Sequence, residues 1–153
     1  MEAASKRAGE PTKKMKSIVR WAALGLGAEG FFGVFAAHAD LGAITAAWIT
    51  MFIALAAEAG TELDKATAMK IATGIVVGIG GMAAGIKMAE AWLAYTGVGT
   101  IPAMLCNAGT NAIMTYMIGN AAARVFVAQD GSACAEEVVK AIMRIVRPTP
   151  HHT

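Results

Sequence analysis

Apolar positions fall in five blocks separated by short polar or glycine-containing breaks, and within each block they recur with helical rather than alternating spacing. The first block opens at Met15, where Ile18, Trp21, Ala22, Leu24 and Gly25 predict an apolar helix over 15–36 whose first turns are basic and amphipathic. His38-Ala39-Asp40 breaks it, with Asp40 placed to cap the next helix. Residues 41–57 carry no charge. That length lies at the lower edge of the roughly 17–25 residues that span a bilayer, and it suits a buried bundle helix equally well. Gly60 ends this helix and Asp64 caps a long one over 65–95. The 96–102 stretch reads as loop, with Pro102 in the first turn of a helix reaching about Val127. Asp130-Gly131 reads as a turn and Ser132 as the cap of a last helix ending near Val146. On that helix Val138, Val139, Ile142, Met143 and Val146 oppose Glu136, Lys140 and Arg144. The pattern predicts an all-α chain, a bundle of four to five closely packed Gly/Ala-rich helices at 15–146, between a disordered basic arm at 1–14 and a tail at 147–153.

Between Lys70 and Arg124 the only charged residues are Lys87 and Glu90. Within that span Gly74, Gly78, Gly81 and Gly85 recur at spacings of four, three and four. Each glycine costs a helix about 1 kcal/mol relative to alanine. A row of them on one face makes sense where another element packs at backbone distance, as happens in lipid and in alanine-rich bundles. Gly109 and Gly119 give the following helix small positions of its own, and all six glycines are expected to be helix-packing residues.

Composition sharpens this picture. Hydrophobic residues make up 56% and charged residues 16% of the 153, and mean hydropathy is +0.53. Ordinary soluble domains hold about 25% charged residues. The net charge of +2 is unevenly spread: residues 1–20 balance to +4, residues 21–123 to −3 and the remainder to +1. A basic segment containing Lys13, Lys14, Lys16 and Arg20, set before a hydrophobic block, suits an anionic membrane surface; the alternative is a solvated leader. The arm lacks interleaved aromatics and the core is not basic, which argues against nucleic acid.

Candidate chemistry is sparse. Gly78-Ile79-Gly80-Gly81-Met82-Ala83 matches the dinucleotide-binding pattern in isolation. No acid lies between Glu90 and Asp130 to hold a ribose, however, and the flanks offer no series of strands. A dinucleotide-binding enzyme is the remote alternative. Ile86 stands between Gly85 and Lys87, so there is no phosphate loop either. Asn107, Thr110, Asn111 and Thr115 form a polar strip on one helix. It reads either as interhelical hydrogen bonding that fixes register or as a small polar site or permeation path. Glu29 and Asp40 interrupt apolar segments, and Lys87 and Glu90 sit three apart, placed to pair. Cys106 and Cys134 form no CxxC motif. The histidines, His38, His151 and His152, supply no base beside a thiol and no metal set. No catalysis, metal or cofactor is expected.

The stretch from about Asp40 to Asp130 resembles a bacterial domain-of-unknown-function family, the YcjF-like Gly-rich helical domains fused behind or encoded beside Era-like and dynamin-like GTPase domains. The residues carrying the resemblance are Asp40, Met51, Ile53, Ala54, Gly60 and Leu63, then the glycine helix and Tyr95-Thr-Gly97-Val-Gly99. Asn107-Ala-Gly-Thr-Asn111-Ala, Thr115-Tyr116, Gly119 and Phe126 complete it. The resemblance implies a helical, membrane-associated domain without catalysis of its own. This chain has no GTPase module, so a GTPase partner would act in trans.

The sequence therefore leads to a membrane-associated helical scaffold or interaction module, self-associating or serving a GTPase, at the bacterial cytoplasmic membrane. The alternative is a soluble, cytoplasmic helical-bundle homo-oligomer. If helices cross a membrane, the expected spans are 41–57 with 71–86, or these plus 15–36 and 102–123. The basic ends then place both termini in the cytoplasm.

Overall fold

The structure, a computed structural model, describes the backbone of residues 10–33, 37–95, 100–129 and 134–146, and the surroundings of side chains at 10–27, 42–80, 105, 107–129 and 134–146. It contains five helices: α1 (Lys13–Gly33), α2 (Ala37–Ala59), α3 (Lys65–Tyr95), α4 (Thr100–Ala128) and α5 (Ala135–Val146). There is no strand among the described residues.

Each end has a local cause. Thr12 caps α1: its Oγ1 accepts the Met15 N–H at 3.1 Å and its carbonyl accepts the Lys16 N–H. Lys13 and Lys14 thus belong to the first turn of α1, not to the arm. Gly60 closes α2 with φ +84°; its N–H reaches the Ala57 carbonyl and the Thr61 N–H the Ala56 carbonyl. This double bond requires a left-handed residue, which glycine supplies without strain. Asp64 caps α3 by accepting the Thr67 N–H and hydroxyl at 2.9 and 2.6 Å. These hydrogen bonds hold its carboxyl below the ordinary 3.8, the Thr67 hydroxyl contributing most. Two expectations are corrected. Asp40 lies inside α2, three residues past its start. The last helix starts at Ala135, where the Cys134 carbonyl accepts the Glu137 and Val138 N–H groups; Ser132 lies outside the described residues.

Side-chain pairings give the topology. Glu58 near the end of α2 accepts Lys14 Nζ at 2.7 Å and Thr12 Oγ1 at 3.3 Å, so α1 and α2 run antiparallel. Gly119 meets Val19 and Met51, while Gly27 meets Ala112 and the Ala108 carbonyl. Hence α4 runs antiparallel to α1 and alongside α2. The Gly60 turn folds α3 back on α2. Four long helices alternate up and down, α1 closes against α4, and α5 packs against α3 and α4, running along α3 from Gly74 to Gly78.

The core is one cluster drawn from all five helices. Trp48, Phe52 and Leu55 of α2 meet Ile71 and Ile75 of α3 and Ile118 of α4, all essentially inaccessible. Full burial of each such side chain contributes about 1.5–3 kcal/mol. Phe52 and Phe126 pack edge to face, with centroids 6.4 Å apart. On α1 the buried line is Met15, Val19, Ala23 and Leu26. The apolar face expected from Trp21 and Leu24 is therefore rotated: both point out of the bundle, Trp21 with 71% exposure.

Candidate functional site

The glycines expected to pack helices divide by environment. A Cβ on Gly74 would stand 2.9 Å from Val139 Cγ2, and one on Gly78 would stand 3.2 Å from Met143 Cε. Their common partner is the apolar face of α5. Gly119 is the tightest point, where a Cβ would lie 2.7 Å from Val19 Cγ1 and 2.9 Å from Met51 Sδ. Gly109 differs: among the described residues nothing lies within 4 Å of a Cβ there, so no described side chain uses it as a packing position. The surroundings of Gly81 and Gly85 lie outside the described residues, as do those of Glu29, Lys87, Glu90 and Cys106. Gly27 was not singled out in the sequence, yet it is a close approach, 3.3 Å from Ala112 Cβ.

Three of the four polar-strip residues come together. Asn107, Asn111 and Thr115 are four apart on α4 and buried, while Thr110 is half-buried beside the line. Thr115 Oγ1 accepts the indole N–H of Trp48 at 3.0 Å, across 67 residues of chain. A buried donor without an acceptor costs about 1–3 kcal/mol, so this bond fixes the register of α2 on α4. Among the described residues, no three or more His, Cys, Asp or Glu side chains gather as a metal would need.

The basic residues form a second constellation. Lys13, Lys14, Lys16 and Arg20 are all exposed on α1, with Trp21 and Leu24 exposed in the next turn. Lys16 approaches Glu10 at 3.9 Å. Lys14 holds the Glu58 carboxyl below the ordinary 4.5, chiefly by its hydrogen bond; partial burial opposes the shift and Thr12 adds to it. These contacts sit at one end of the bundle. There the start of α1, the end of α2, the start of α3 and the end of α4 carry Glu58, Glu62, Asp64, Lys65, Lys70 and Arg124. Further along α1–α4 the described stretches 21–27, 42–57, 71–80 and 107–123 hold no charge. Exposed apolar side chains stand there instead, among them Trp21, Val77 at 75% exposure, Ile113 and Tyr116. The sequence showed the charge asymmetry but not that Trp21 faces outward. Periodicity could have shown it, because Trp21 falls on the opposite side of the helix from the Met15–Val19–Leu26 line.

No helix among the described residues is long and apolar enough to cross a membrane. No family model, curated protein or solved structure gives a significant match to the chain.

Proposed function

We propose that this chain is a membrane-associated helical scaffold without catalysis, held at an anionic membrane surface by the outer face of α1. The observation that carries the reading is the juxtaposition of four exposed cations with exposed Trp21 and Leu24 on one helix. Cations draw the helix to anionic head groups at about 1 kcal/mol each near the surface. An indole settles at the boundary between head groups and chains, and the uncharged stretch of the bundle beyond the charged end follows it toward the apolar layer. Placement at the bacterial cytoplasmic membrane, and a GTPase as the partner in trans, follow from the resemblance to the YcjF-like domains.

Flotation with vesicles tests the reading. The full chain is expected to float with phosphatidylglycerol vesicles and not with phosphatidylcholine vesicles, and salt should release it. Lys13→Glu/Lys16→Glu/Arg20→Glu should abolish flotation, and Trp21→Ser should weaken it at every salt concentration. Flotation indifferent to salt and to the charge reversals would overturn the role of α1.

A second reading, a homo-oligomer, is favoured by a different observation. Leu105, Ile113, Tyr116 and Met117 stand exposed along the outside of α4. Exposed apolar side chains gathered on one helix in this way suit an interaction surface. A concentration-dependent oligomer that Ile113→Glu dissociates, together with absent flotation, would favour this reading over the first.

A further inference from the structure

Along the outer seam between α1 and α2 runs an open groove of about 510 Å³. That volume falls within the roughly 300–1,000 Å³ of small-molecule sites. Met51 and Leu26, both buried, line its inner side. Ile18 and Ala22 of α1 also line it, and the groove stays open where Gly25, Ala47 and Ala54 stand. Gly25 has nothing within 4 Å of where a Cβ would stand, and Ala47 and Ala54 face it from α2. Trp21 forms the outer lip. Polar groups concentrate at one end, where Lys14 and Ser17 line it. Thr50 and the indole of Trp21 add the remaining polar atoms among the described lining side chains, and the Thr50 hydroxyl already donates to the Ala46 carbonyl at 3.1 Å.

We infer that this groove holds one acyl chain of an anionic membrane phospholipid, with the head group at the Lys14 end. The inference rests on the membrane reading above and names the ligand class of the same face. Chain rather than peptide follows from the lining. An extended polypeptide would bring backbone N–H and C=O groups along an apolar wall that offers them no partners, whereas methylene groups need none. The anionic head follows from charge. Lys14 is 74% exposed and spends one contact on Glu58, leaving ammonium donors for a phosphate; it is the cation among the described lining residues. The orientation also agrees with the bundle. The head-group end of the groove coincides with the charged end of the molecule, and the chain end with the uncharged stretch.

The test uses the full chain in a nonionic detergent, titrated with phosphatidylglycerol bearing brominated acyl chains while tryptophan emission is read. Quenching is expected to saturate at a single lipid per chain and to disappear in Trp21→Phe. Brominated phosphatidylcholine and a brominated free fatty acid should quench only in proportion to their share of the micelle. Ala54→Leu fills the groove with apolar bulk, and it should weaken saturable binding at least several-fold. Lys14→Gln, a surface change, should erase the preference for phosphatidylglycerol even if Ala54→Leu fails to fold. Unsaturable quenching, saturation by the fatty acid instead, equal response to the two phospholipids, or indifference to both Ala54→Leu and Lys14→Gln overturns the inference. The membrane reading fails separately: a chain that binds phosphatidylglycerol in detergent but does not float retains the groove and loses the membrane seat.

Discussion

Gly119 and Gly109 stand on the same helix ten residues apart, and opposite consequences are expected from the same substitution. At Gly119 an added methyl would press on Val19, whose branched side chain has little rotamer freedom in a helix, and on Met51. Gly119→Ala is expected to destabilise by about 1–3 kcal/mol through overpacking. At Gly109 a methyl meets no described side chain within 4 Å, so Gly109→Ala should stabilise by up to about 1 kcal/mol through helix propensity. Urea melts of the two variants check both signs; two effects of the same sign would contradict the packing described. Composition alone groups both glycines as packing positions. Yet ten residues at 3.6 per turn do not return to the same face, and that arithmetic separates them. Thr115 shows what spacing reveals and what it conceals. Its place four residues from Asn111 was legible, while its partner Trp48 lies 67 residues away and leaves no local signal.

At the level of elements, the five helices were readable because their breaks carry mechanisms. Gly60 and Asp64 act as their residue types allow. Where boundaries moved, polar residues had hidden them. Lys13 and Lys14 contribute no periodicity but lie within a helix capped by Thr12. Asp40, a good cap in type, is simply helical. What packs on the glycine ridge of α3 was not legible. A small-residue face specifies closeness but not identity, and at Gly74 and Gly78 the occupant is α5, the shortest of the five. Twelve residues are too few for a helix to be stable alone. The Glu136–Lys140 pair at 2.8 Å assists it only on its solvated side. Its order therefore depends on Val138 and Ile142, which are buried in the shared core. Ile142→Ala should cost about 2–5 kcal/mol. Hydrogen exchange should show α5 amides losing protection first while those of α2 persist; uniform loss across the helices would contradict this dependence.

At the scale of the whole molecule, the charged end makes stability depend on acid. Glu58 and Asp64 are held below their ordinary values of 4.5 and 3.8 by Lys14 and Thr67 respectively. Their contribution is fully present above those values and is lost as pH falls through the depressed ones. Melting temperature should therefore hold from neutrality to about the ordinary carboxylate range and decline below it. Glu58→Gln/Asp64→Asn should start lower and decline less steeply, and parallel curves for variant and parent would show that other groups govern the acid limb. The closing of α1 against α4 has a different kind of consequence, one for synthesis. The helix made first shares its most extensive contacts with a helix made fourth, and the whole α2–α3 hairpin lies between them. As the chain leaves the ribosome, the buried face of Met15, Val19 and Leu26 waits for its partners, and Val19 meets Gly119 of α4 only a hundred residues later in the chain. An apolar stripe held open for that long is a target for chaperones or for a nearby bilayer. The nascent chain thus offers the α1 face before the finished bundle exists.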